Sequence, residues 1–112
     1  MNLEIEHTQT NGTRELSVTG EIDAYTAPQL RDELLPLTEQ KDVTVSADLS
    51  GVQYMDSTGL GIFVAALKSS KKHGSHLKIN GVTPRVKRLF DITGLSEIIE
   101  IDKTNGVKGG TT

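Results

Sequence analysis

Leu3, Ile5 and His7 alternate with polar residues, as do Leu16, Val18 and, less regularly, Ile22, the period-two pattern of strands with one face on a core. Asn11-Gly12 separates the two runs and is a strong hairpin signal, so the chain is expected to open with two antiparallel strands. Thr26 followed by Gln29 resembles a capping box with Pro28 in the tolerated first turn, and Leu30, Leu34 and Leu37 then recur at helical spacing. Pro36 removes an amide donor late in that pattern and should kink or end the helix nearby. Val43, Val45, Ala47 and Leu49 alternate with Thr44, Ser46 and Asp48, which predicts a strand with one face on the core and the other partly wet. Leu60, Phe63, Val64 and Leu67 carry the i, i+3, i+4, i+7 spacing of a second helix, stopped by the basic turn Lys71, Lys72, His73 and by Gly74. Leu77 to Ile79 reads as a short strand. Thr83-Pro84 opens a third helix through Val86, Leu89 and Phe90 that closes near Gly94, and Ile98, Ile99 and Ile101 suggest a last strand or edge segment.

The order strand, strand, helix, strand, helix, strand, helix, strand predicts an α/β fold. Its mixed β-sheet would carry an N-terminal antiparallel hairpin, later strands parallel through right-handed crossovers, and α-helices packed against it. In such sheets ligands and partners gather at the carboxyl ends of the strands. Residues 21–26, after the second strand, and residues 50–59, after the third, are expected there.

Composition narrows this picture. At 112 residues the chain suits one domain spanning 1–112, with a core over about 3–102 and a flexible glycine-bearing tail over 103–112. An apolar fraction of 35% with few aromatics means that Leu, Ile and Val must build the core. The net charge of −3 supplies no positive field to gather nucleic acid or an anionic membrane, so neither is an expected partner. The short basic groups Lys68, Lys71, Lys72 and Arg85, Lys87, Arg88 read as solvated helix faces. Cysteine is absent, which excludes disulfides, thiolate metal sites and thiol catalysis. With an acidic, alternating N-terminus and no long apolar run, a soluble cytoplasmic protein is the expectation.

The stretch YMDSTGLG, residues 54–61, puts an acid, two hydroxyls and two glycines where a strand hands over to a helix. A hydrolase serine elbow needs glycine two residues either side of Ser57, and position 55 is Met. Gly59-Leu60-Gly61 could cradle phosphate, yet position 64 is Val and the phosphate-loop pattern is missing; the glycines better suit a tight turn and close helix packing. Asp23, Asp48 and Asp56 could converge on Mg²⁺, but nothing in the spacing makes them do so; Asp48 fits a wet strand face and Asp56 a helix cap. His73 and His76 fall around a helix end, where a cap or a solvated residue is the expected state, and with His7 they make no triad. No catalytic set, cofactor or metal site is therefore expected. Two readings of Ser57 stay open on spacing alone: a plain helix N-cap, the commoner case, and an exposed substrate for another enzyme.

Three segments, GEIDAYTAPQLR at 20–31, YMDSTGLG at 54–61 and RLFDITGL at 88–95, resemble in order and spacing the anti-sigma factor antagonists of the STAS domain fold, most closely the RsbV type of the bacterial general stress response. The similarity covers roughly residues 3–102. It implies a non-enzymatic regulator in which Ser57 is the phosphoacceptor, modified by an anti-sigma factor serine kinase (RsbW-like) of the histidine-kinase-like ATPase type. The unmodified form would bind that kinase and release its sigma factor, and a PP2C-type serine phosphatase would restore it. The resemblance further implies a partner-binding surface of Asp23, Tyr25, Thr26, Asp56, Ser57, Thr58 and Gly59. The third strand is more polar than is usual for the family, and Pro36 interrupts the first helix; both concern packing. A STAS module that binds a small ligand or nucleotide without a kinase is the alternative.

Overall fold

Asn11 and Gly12 both take positive φ, 39° and 80°, the left-handed geometry that a two-residue hairpin turn requires. They join β1 (Leu3–Thr10) to β2 (Thr13–Ile22), which pair antiparallel with Leu3 opposite Gly20 and Thr10 opposite Thr13. The computed structural model describes residues 2–102 of the chain, so the tail expected beyond Asp102 lies outside the described residues. There follow α1 (Ala27–Thr38), β3 (Thr44–Met55), α2 (Ser57–His73), β4 (His76–Val82), α3 (Pro84–Ile92), a 3₁₀ turn at Leu95–Glu97 and the short β5 (Glu100–Ile101).

The five strands form one sheet in the order β1-β2-β3-β4-β5, antiparallel at β1/β2 and parallel thereafter. This is the α/β fold with a mixed sheet and an N-terminal hairpin that the hydrophobic pattern predicts. Right-handed crossovers between successive neighbours carry α1, α2 and α3 to one face. Contacts agree: the hydroxyl of Thr38 on α1 donates to Ser69 Oγ on α2 at 2.7 Å, and Phe63 on α2 meets Phe90 on α3 edge to face with centroids 5.8 Å apart. Beneath the helices, alternate strand residues Leu16, Val18, Val45, Ala47, Leu49 and Ile79 are fully buried with Leu30, Leu34, Phe63 and Phe90.

Three local expectations need correction. The capping box at α1 does not form: Thr26 stands at the N-cap but makes no side-chain cap bond, because its Oγ1 accepts from Asp23 N at 2.9 Å, and donates to Glu21 O at 2.8 Å, instead. Gln29 reaches across to accept no cap role, its Nε2 donating to Leu3 O at 3.1 Å. The third strand does not stop near Leu49 but runs to Met55, absorbing the turn-like residues Ser50 and Gly51 at a register shift against β2. Pairing with β2, which continues to Met55, overrides the local turn propensity there. The last strand is shorter than its isoleucines suggest, Ile98 being outside it and exposed. Pro36 behaves as expected, with α1 ending two residues later.

Candidate functional site at the carboxyl edge of the sheet

Because β2 and β3 are parallel with Ile22 opposite Met55, the segments that leave them lie side by side at one edge of the sheet. Asp56 N–H donates to Ile22 O at 3.2 Å and ties the second segment to the first. The long β3 leaves only Asp56 between strand and helix, so YMDSTGLG divides into strand end, cap and first turn rather than forming a loop.

Asp56 is extended (φ −108°, ψ −170°) and caps α2, its Oδ1 accepting from Thr58 N at 2.9 Å and Gly59 N at 3.3 Å. Ser57 is therefore not the cap. It is the first helical residue, exposed, with its hydroxyl at the positive end of the helix dipole. Gly59 is buried beneath this turn: a Cβ there would stand 2.6 Å from Met55 Cγ and 2.7 Å from Ile22 Cγ2, so only glycine lets the helix start so close to the sheet. Gly61 would meet nothing within 4 Å, and the packing role expected of it is not found.

The neighbouring segment is built around another carboxylate. Asp23 Oδ1 accepts from Tyr25 N at 2.9 Å and Thr26 N at 3.0 Å, while Asp23 N–H donates to Thr26 Oγ1 at 2.9 Å. The Thr26 amide, aided by that of Tyr25, holds the Asp23 carboxyl below the usual carboxylate range, with burial opposing it. The result is a folded loop that leaves Tyr25 standing out at 90% exposure.

Of the residues predicted to meet a partner, Tyr25, Ser57 and Thr58 are exposed and Asp23 and Asp56 half-buried. Thr26 and Gly59 are buried, so they shape this surface from below. Asp48 lies away from Asp23 and Asp56, on the sheet face opposite the helices, with its Oδ1 accepting from Ser50 N and Oγ at 2.9 and 2.7 Å. Among the described residues no acidic or histidine group gathers as metal ligands. Sequence reasoning missed a hollow of about 450 Å³ beside Asp23, lined by Glu21, Gln53, Tyr54 and Arg85. Tyr54 is 42% exposed there. Only a third strand extended to Met55 would have placed Gln53 and Tyr54 at the edge, and the turn residues at 50–51 hide that extension.

A family model described as "STAS domain" matches residues 4–106. The chain is 47% identical over 102 residues to the anti-sigma-B factor antagonist of Bacillus subtilis (strain 168), covering 90% of this chain and 92% of that protein. It is 44% identical over 111 residues to the protein of the same description from Listeria monocytogenes serovar 1/2a, covering 98% and 97%. Among solved structures, the crystal structure of an anti-sigma factor antagonist from Mycobacterium paratuberculosis matches with a TM-score of 0.76 at 27% identity, covering 89% of this chain and 85% of that one.

Proposed function

The chain belongs to the STAS domain family, among its anti-sigma factor antagonists, and from that premise we propose that it works as a phosphorylation-controlled partner switch centred on Ser57. The unmodified protein docks its carboxyl-edge surface, with Tyr25, Asp23, Asp56, Ser57 and Thr58, onto an anti-sigma factor that is a serine kinase. Docking frees the sigma factor and so raises stress-response transcription in the cytoplasm. The kinase transfers phosphate to the Ser57 hydroxyl, the complex separates, and a PP2C-type phosphatase resets the switch.

One observation carries this reading: an exposed hydroxyl on the first residue of α2, flanked by a capping carboxylate and by a second carboxylate loop tied to it through Ile22. The helix N-terminus tolerates an added phosphate. A partner that excludes water from Asp56 and Asp23 does not, because charge repulsion grows as the dielectric falls. A nucleotide-binding module gains less support, since Glu21 and Asp23 on the wall of the adjacent hollow outnumber Arg85 and oppose a phosphate chain.

The test is incubation of the protein with ATP and the anti-sigma factor of the same genome, followed by peptide mass spectrometry and a pull-down. Phosphate confined to Ser57, with loss of the complex on modification, is expected. Modification at Thr58, or a complex indifferent to phosphate, would sink the proposal.

A further inference from the structure

The sheet face opposite the helices carries no element among the described residues, and its rows hold three acids, Glu6, Glu15 and Asp48, with Lys78 at one end. In register across β1, β2, β3 and β4 stand Thr8, Glu15, Ser46 and Lys78, and beside them Glu6, Ser17 and Asp48. Between these rows is a trough of about 240 Å³, lined by Glu6, Glu15, Ser46 and Asp48 among others, adjoined by a second of about 400 Å³ that shares Glu15, Ser46 and Asn80. Among the described residues Glu6, Glu15 and Asp48 form no salt bridge, and Lys78, across Ser46 from Glu15, is the cation nearest to them on this face.

Ser46 is the anomaly on this face. It is only 2% exposed, and its Oγ has no hydrogen-bond partner. A buried hydroxyl without a partner is rare and costly, because it has given up water and received nothing. Its cross-strand neighbours Glu15 and Lys78 flank it, both long enough to swing aside.

We propose that this trough binds a small aliphatic amine of the diamine or polyamine class. One ammonium group lies among the carboxylates of Glu6, Glu15 and Asp48 and donates a hydrogen bond to Ser46 Oγ. The remaining chain leaves the trough past Asn80, away from Lys78 on the wall of the adjoining one. The chemistry excludes the main rivals. An anion meets three carboxylates, an apolar ligand meets a hydroxyl- and carboxylate-lined wall, and no three acidic or histidine groups among the described residues converge tightly enough for a bare metal ion. This site shares no residue with the Ser57 surface and stands independently of the switch.

The experiment is an amide-shift titration of the ¹⁵N-labelled full chain with spermidine and putrescine at constant ionic strength, with MgCl₂ as the charge control and a lysine-rich peptide of matched charge as a second arm. Saturable shifts confined to the strand positions around Glu6, Glu15, Ser46, Asp48 and Asn80 are expected. Ser46→Ala should weaken spermidine by about tenfold or more, the usual effect of losing a hydrogen bond to a charged group. It should not lower the melting temperature, since it removes an unsatisfied atom. Glu15→Gln, at an exposed position, gives a second test that does not depend on how the core takes Ser46→Ala, and should also weaken binding. Shifts spread over all carboxylates, an equal response to MgCl₂, or indifference to both variants would overturn the proposal. Tighter binding of the peptide would overturn it too, by giving this face to a protein partner.

Discussion

Placing a phosphate on Ser57 adds about −1.5 to −2 charge at neutral pH. At the first position of a 17-residue helix the dipole favours it by about 0.3 to 2 kcal/mol. Against it stands Asp56, whose carboxylate cannot turn away without giving up the amides of Thr58 and Gly59. At about 6 Å such a phosphate and one carboxylate repel by about 1 kcal/mol in bulk water and by about 4 to 6 kcal/mol at an effective dielectric of about 20. The free protein, open to solvent at Ser57, lies near the first figure, and the opposing terms nearly cancel. Docking moves the pair toward the second figure. The difference of about 3 kcal/mol or more weakens the complex by more than about a hundredfold. Ser57→Asp adds a single charge and should weaken binding by about 30-fold on the same reasoning. Calorimetric titration of the anti-sigma factor with unmodified, phosphorylated and Ser57→Asp protein measures these ratios, and thermal melts followed by circular dichroism check the fold. A melting temperature unchanged to within about 4 °C is expected, since about 1 kcal/mol moves a domain of this size by roughly that much. Equal affinity of the three forms would refute the electrostatic reasoning; a large fall in melting temperature would move the effect from interface to fold.

Further outcomes test how the site is held. Asp56→Ala should lose about 0.5 to 2 kcal/mol of stability by uncapping α2, and Asp56→Asn much less, as read from denaturant melts. Gly59→Ala should cost about 1 to 3 kcal/mol, because its methyl would press on Met55 and Ile22, both buried. Gly61→Ala, with open space around it, should instead stabilise by up to about 1 kcal/mol, and identical effects at the two glycines would contradict the packing described. The folded Asp23 carboxyl titrates below its unfolded value, so its contribution is complete above pH of about 4 and is lost as pH falls through the folded pKa. Wild type should therefore exceed Asp23→Asn in stability at neutral pH, with the margin closing on acidification; a margin that widens in acid would show the sign to be wrong.

Much of this architecture was legible in the chain because each signal for it is local. Asn11-Gly12 permits the positive φ values of a hairpin, and the leucines of 30–37 return on a helical period. Val45, Ala47 and Leu49 alternate to one face, and Gly74 stops a helix in the left-handed conformation. Ser57 was legible as a position, and the phosphoacceptor role proposed for it came from resemblance. Spacing could not tell cap from exposed first residue, because that depends on which of Asp56 and Ser57 turns its side chain back to the amides. The misread capping box at Thr26 has a similar origin: the motif satisfied a local rule, but Glu21 O and Asp23 lay closer in the folded loop.

By itself, then, the sequence determined the order and kind of elements, since hydrophobic period and turn chemistry act within a few positions of one another. Only the tertiary structure decided that β3 runs to Met55, that the Asp23 loop lies beside Ser57, and that Ser46 is buried without a partner near the acids of the sheet face opposite the helices. Each of these depends on pairing between residues far apart in the chain, where the gain from neighbouring strands outweighs local preference and no short-range pattern records the outcome.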